Sequence, residues 1–299
     1  MTIRNRAALL ALAAGLLASG PARAQEAPPA LAPGEALLEI RLSDGSTLFG
    51  RVVEADEERV VVVTEAGARV EVDRSRVVSA RPAAGVVRDG SLWPDDDADY
   101  RLFAAPTGRT LTGGTGTAGV IELFFPNVAY GITDRVQLGA GTAVFPEIVA
   151  EIFWVEPKVG LVSRTGLDVA IGAIAFFATS EIDEGSIGVV HLTGTFGGDR
   201  GALTVGGGWP FLLGGDESEF ADGAVVSLGG EIRTGRRVKL ISENHFLVGG
   251  ASSDYGLISG GIRIFGDRLS ADVGFGGVLG EEQACCLPIV NFSWAFGGR

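Results

Sequence analysis

The side chains most able to do chemistry are few. The chain has two histidines, His191 and His245, and two cysteines, Cys285 and Cys286. A histidine could activate a serine as general base, or bind a metal through a ring nitrogen. For a lipid hydrolase the nearby pairings in sequence are His191 with Ser186 and His245 with Ser242, but no G-x-S-x-G elbow surrounds a serine and nothing selects either pair. Neither histidine has a second His or Cys at metal-ligand spacing. The adjacent cysteines can close only a strained ring with each other, which leaves free thiols and oxidation with an outside partner open. Asp95, Asp97 and Asp99 alternate like the start of a calcium loop, yet position six is Tyr100 instead of Gly and position twelve is Pro106 instead of Glu. A solvated acidic linker is the better reading. Gly114, Gly116 and Gly119 match a dinucleotide-loop spacing but precede a strand instead of opening a helix. These residues imply a non-enzymatic protein with no catalytic residue, no metal and no cofactor; an outer-membrane lipid hydrolase is the minor alternative.

The elements that would position such residues are strands. Forty-six glycines in 299 residues, without a collagen period, disfavour helix bundles, and most lie beyond residue 115. From there the pattern predicts strands at 117–131, 135–145, 150–162, 167–179, 186–197, 201–210, 223–233, 237–248, 255–265, 268–279 and 288–297. Their connections alternate. Thr133-Asp134, Ser163–Gly166, Gly198–Arg200, Thr234–Arg236 and Gly266-Asp267 are short, and the intervening ones are longer. Tight turns at one end and long loops at the other are expected of an up-and-down antiparallel transmembrane β-barrel. Each strand has one apolar face and one face of polar, charged or small residues. Arg or Lys facing lipid at mid-membrane costs about 2–4 kcal/mol. The candidate lumen-lining residues are therefore Glu156, Lys158, His191, Glu231, Arg233, Lys239, Glu243, Arg263 and Asp272, either paired across the interior or bordering a narrow pore. Parity asks for a twelfth strand, placed within Arg101–Leu111. The longer loops hold Glu181, Asp183, Glu184, Asp216, Glu217, Glu219 and Asp222, a solvated surface or a gathering point for divalent cations.

The N-terminus adds an address. Arg4 and Arg6, the apolar run Ala7–Ala18 and the small-x-small site Ala22-Arg23-Ala24 read as a cleaved signal peptide over residues 1–24. Its removal takes away three Arg and no acid, making a chain of net charge −13 more acidic still. Such acidity excludes nucleic acid as a partner. After a linker over 25–34, residues 35–82 alternate as five short strands, and L-x-D-G-x-x-x-x-G-x-V resembles the opening hairpin of SH3-like or Sm-like modules. An acidic linker is expected over 83–100 and the barrel over 101–299. The last strand places Phe292, Trp294 and Phe296 on one face, resembling the signal read by the barrel-insertion machinery, although Gly297-Gly298-Arg299 follow. The segments RLFAAPTGRTL, FFPNVAYGITDRVQLGAG and PKVGL resemble uncharacterised outer-membrane β-barrel-like proteins of Gram-negative bacteria. The resemblance implies an outer-membrane location and outer-membrane lipid as surroundings, but no activity. The expected function is structural, or a small-solute pore; the alternative is a soluble periplasmic β-rich binding module, and the N-terminal module could dock a periplasmic partner.

Overall fold

A computed structural model describes residues 31–145, 149–178, 185–214, 217–249, 255–280 and 284–297. The expected signal peptide lies outside the described residues, as do Glu181, Asp183, Glu184 and Asp216. Contacts divide the chain into two compact units at Ala83/Ala84.

The first unit is a five-stranded antiparallel sheet: β1 (Leu38–Leu42), β2 (Thr47–Ala55), β3 (Arg59–Thr64), β4 (Arg69–Asp73) and β5 (Val77–Pro82), in the order β4-β3-β2-β1-β5. Alternate residues of these strands point inward, so Ile40, Leu42, Val52, Val60, Val62 and Val72 form one apolar core. Gly45 supplies the positive φ of 84° that the β1–β2 turn needs. Asp44 accepts hydrogen bonds from the backbone N–H and the hydroxyl of Ser46, 2.9 and 2.6 Å long, which hold its carboxyl below the ordinary carboxylate range.

The second unit opens with a hairpin, β6 (Gly85–Arg88) and β7 (Ser91–Pro94), followed by a segment that is neither strand nor helix until Thr115. The barrel strands are β8 (Thr115–Ile121), β9 (Phe125–Thr133), β10 (Val136–Val144), β11 (Val149–Arg164), β12 (Leu167–Ala178), β13 (Gly185–Gly198) and β14 (Gly201–Gly214). After a short side strand β15 (Glu217–Phe220), paired only to β14, come β16 (Ala224–Gly235), β17 (Val238–Val248), β18 (Gly256–Phe265), β19 (Leu269–Leu279) and β20 (Ala284–Gly297). Every neighbour is antiparallel, β14 pairs with β16, and β20 pairs with β8. The sheet closes as a twelve-stranded antiparallel barrel, with no α-helix among the described residues.

The number of strands is as expected, but two of its parts differ. The stretch expected as one strand over 117–131 is two, β8 and β9, folded back at Glu122-Leu123-Phe124. Glu122 and Leu123 take left-handed φ of 51° and 61° there without a glycine. The strand expected within Arg101–Leu111 is absent from the wall. In addition, Cys285 and Cys286 lie at the start of β20 instead of in a loop, and Cys286 is disulfide-bonded.

Strand register sorts the barrel residues into two faces. Outward residues form aromatic rows near both ends: Tyr130, Phe196, Trp294 and Phe296 towards the short turns, and Phe153, Phe177, Trp209, Phe211 and Phe275 towards the long loops. Phe196 sits opposite Leu167, and Phe177 lies on the same strand as Leu167, ten positions later. At about 3.3 Å per residue and a tilt near 40°, the rows are roughly 25 Å apart, the height of a bilayer's apolar core. Between them no outward position is Asp, Glu, Lys or Arg. The polar outward pair Ser242 and Asn244 donates to the Ser259 and Leu228 carbonyls at 3.1 and 2.9 Å. The outer face is that of a transmembrane barrel.

Candidate functional site

The interior is where the charges meet. Lys158, His191, Glu231, Arg233, Lys239, Glu243, Arg263 and Asp272 are inward by register and buried, and Glu156 is inward and half-buried. What covers them is the segment Asp95–Leu111. It enters from the short-turn end and folds back on itself, with Arg101 bridged to Pro106 and Leu102 N–H donating to the Ala105 carbonyl at 2.8 Å. The return arm leaves by the same end. Thr110 Oγ1 donates to the Asp134 carbonyl at 2.7 Å and Gly113 N–H to the Asp134 carboxylate at 2.9 Å, both on the β9–β10 turn.

Outside a ladder, this backbone must find other partners, because an unpaired buried amide costs free energy comparable to a lost hydrogen bond. The wall supplies them from inward side chains. Arg263 donates to the Ala98 carbonyl at 2.8 Å, the Arg101 carbonyl at 3.2 Å and the Leu102 carbonyl. Lys158 donates to the Tyr100 carbonyl at 2.9 Å, and Asn291 to the Phe103 carbonyl at 3.0 Å. Glu243 Oε2 accepts from both Ala104 and Ala105 N–H at 3.0 Å. Gln137 and Thr195 accept the N–H groups of Leu111 and Gly108 at 3.0 and 2.8 Å.

The charges are balanced in the same way. Arg263 meets Asp272 at 2.6 Å and Asp96 at 3.3 Å, Lys239 meets Asp96 and Glu231 at 3.0 Å each, Arg101 meets Asp272 at 2.9 Å, and Arg109 meets Glu231 at 2.6 Å. Four of these six contacts join the inserted segment to the wall. Asp96, expected in a solvated linker, is therefore buried between two cations of β17 and β18. Buried charges need such partners, since desolvation costs several kcal/mol per ion.

Two close approaches leave no room for side chains. A Cβ at Gly108 would stand 2.2 Å from the Asp168 carbonyl oxygen, and one at Gly229 would stand 2.3 Å from Leu102 Cδ1. At the short-turn end Arg233 donates to the Pro94 carbonyl at 2.8 Å and pairs with Asp199. Its guanidinium stacks between Trp93 and Phe265, 5.1 and 5.0 Å from the ring centres. Arg88 pairs with Asp199 at 2.9 Å and lies over the same Trp93 ring. Beside the tip of the insert, a cavity of about 30 Å³, the size of a water molecule, is bordered by Tyr100, Arg101, Asn127, Trp154 and Glu156.

The serine–histidine pairings weighed as a minor alternative, His191 with Ser186 and His245 with Ser242, do not form. Ser186 donates to the Leu213 carbonyl, while His191 contacts Thr193 at 3.3 Å and its Nε2 is buried without a hydrogen-bond partner. Ser242 faces outward. His245 faces inward and meets Ser227 of β16 at 2.9 Å. Ser227 and His245 are eighteen residues apart, so spacing alone does not pair them, although alternation separates an even-numbered Ser242 from an odd-numbered His245 on one strand. No group of three or more His, Cys, Asp or Glu among the described residues could hold a metal ion.

No protein-family model matches the chain, and no curated protein matches it. The chain is similar to several solved structures at low identity. The KdgM porin in complex with disordered oligogalacturonate is 8% identical, with a TM-score of 0.44 over 62% of this chain and 99% of that one. The NanC porin is 5% identical, with a TM-score of 0.40 over 62% and 100%. Outer-membrane expressed OmpT of Vibrio cholerae is 14% identical, with a TM-score of 0.38 over 87% and 94%. The closed ladder and its charge-free outer belt establish the barrel independently of these likenesses.

Proposed function

We propose that this chain is an exported outer-membrane barrel held shut at rest by its own segment Asp95–Leu111, a structural barrel or a small-solute pathway that opens only when that segment moves. One observation carries the reading: Arg263, wholly buried on β18, holds the insert through three of its carbonyls and through Asp96. Wall charges that would border a pore are spent on the insert. The apolar belt between aromatic rows supports lipid as the surroundings, and short turns fit the periplasmic side of such barrels. Under the same reading, residues 1–24 direct export and the outward Phe292, Trp294 and Phe296 are what the insertion machinery reads. The N-terminal sheet serves as an SH3-like docking module for a periplasmic partner.

Planar-bilayer recording tests the proposal. The wild type is expected to insert without steady conductance, and a variant lacking residues 95–111 to conduct. Steady ohmic conductance of the wild type would overturn the closed state.

A further inference from the structure

The lumen changes character along its length. Below, towards the short turns, it is charged and filled. Above the tip of the insert, Phe176, Ile187, Leu212, Leu247, Leu257 and Leu287 are all inward by register, yet they remain open to solvent, Ile187 and Leu212 by 57% and 53%. Inward, apolar and uncovered, they line a cup that opens towards the long loops.

At the floor of this cup three groups stand in series. Ser227 on β16 lies directly across from His245 on β17, with Oγ 2.9 Å from Nδ1. His245 Nε2 lies 3.1 Å from Glu243 Oε1, while the other oxygen of Glu243 is fixed by the Ala104 and Ala105 N–H groups. A neutral ring protonated on Nε2 satisfies both contacts: it donates to Glu243 and accepts from the serine hydroxyl. This is the relation of nucleophile, base and orienting acid that activates serine on unrelated folds, recognised by geometry and role instead of sequence order. The approach to Ser227 is clear as well. Its other cross-strand neighbour is Gly206, and Gly208 is the next inward position above. Val225 and Leu247, the next inward residues on β16 and β17, already belong to the apolar wall.

We propose that Ser227, His245 and Glu243 form a nucleophilic relay that hydrolyses carboxylic esters of medium-length acyl chains, with the chain lying in the cup above. Ser227 Oγ attacks the ester carbonyl carbon and its proton passes to His245 Nδ1. The bond to the alkoxy oxygen breaks, and that oxygen leaves as an alcohol carrying the proton from His245. Water, deprotonated by the same nitrogen, then cleaves the acyl-serine to a carboxylic acid and restores the hydroxyl. The cup spans about four to six strand residues above Ser227. At 3.3 Å per residue with the barrel tilt this is roughly 10–15 Å, room for a chain of about eight to twelve carbons. Backbone amides beside Ser227 are engaged in the β14–β16 and β16–β17 ladders, so turnover is expected to be slow and covalent capture is the more sensitive reading. The proposal goes beyond the closed-barrel reading and shares with it only the insert amides that hold Glu243.

The test uses the full chain in phosphatidylcholine vesicles, with a long-chain fluorophosphonate as probe and heat-modifiable gel mobility confirming that each variant is folded. We expect one label per chain, on Ser227, absent in Ser227→Ala and at least 10-fold slower in His245→Gln. p-Nitrophenyl decanoate is expected to be cleaved at least 10-fold faster than the butanoate, with Leu257→Arg removing that preference. Labelling of the folded wild type no greater than of folded Ser227→Ala would overturn the relay. Equal rates on the two chain lengths would overturn the cup as the acyl site.

Discussion

The two units use the same strand alternation to opposite ends. In the N-terminal sheet the apolar residues Ile40, Val60 and Val62 are inside and the ion pairs outside: Arg51–Glu65 and Arg69–Glu54 stand in water. In the barrel the apolar belt between the aromatic rows faces out and the pairs are sealed within; the Arg263 and Asp272 side chains are 0% and 1% exposed. Period two only separates a chain into two faces. The solvent around each unit decides which face becomes the core. The energetics differ accordingly. An exposed pair is screened and contributes little, whereas breaking a buried pair leaves an uncompensated charge.

The difference should appear first in charge removal. Asp272→Ala leaves Arg101 without its carboxylate and Arg263 with Asp96 alone, and is expected to cost about 3–5 kcal/mol in urea unfolding followed by gel mobility, whereas Glu65→Ala in the N-terminal unit should leave its midpoint unchanged. Equal effects would erase the distinction between the two units. The next largest effect concerns the outer faces. Leu228 is 44% exposed on β16 and Val78 is 63% exposed on β5. Leu228→Arg should destabilise the barrel by about 2–4 kcal/mol in a bilayer, and Val78→Arg should be tolerated; a tolerated Leu228→Arg would mean that water, not lipid, meets the belt. A smaller change is expected from Gly108→Val, which drives a side chain into the Asp168 carbonyl. We expect a loss of about 1–3 kcal/mol together with bilayer conductance that the wild type lacks.

The smallest effect is a pH dependence confined to the exposed unit. Hydrogen bonds from Ser46 depress the Asp44 carboxyl, so it favours the folded turn at neutral pH, and this contribution fades as pH falls through the depressed value. The protection of the Gly45 amide against exchange, relative to its intrinsic rate at each pH, should fall on acidification towards pH 2, less so in Ser46→Ala, where the contribution is already missing. An identical loss of protection in both proteins would remove Ser46 as the cause.

Much of the wall was legible because its signals are local. Alternation and turns such as Gly266-Asp267 place strands within a few residues, and the lumen candidates follow from parity. The insert was hidden because Leu102, Phe103 and Leu111, spaced among arginines, read like one more strand. What keeps its backbone out of the ladder is a set of side chains more than a hundred residues away, Arg263, Glu243 and Asn291. Asp96 read as linker for the same reason, its partners Lys239 and Arg263 being remote. The β8–β9 turn gave no sign because Glu122 and Leu123 adopt left-handed backbone without Gly, Asn or Asp. Ser227 needed the cross-strand register, which spacing alone does not contain.

The central claim is that residues 95–111 occupy the lumen, and Ala98 is its most direct witness: wholly buried, small, and its carbonyl held by Arg263. In the folded Ala98→Cys protein a membrane-impermeant maleimide added to both sides of the bilayer should leave position 98 unmodified, with labelling appearing only after unfolding. Labelling of the folded barrel at the rate of a surface control, Asp89→Cys, would contradict the account.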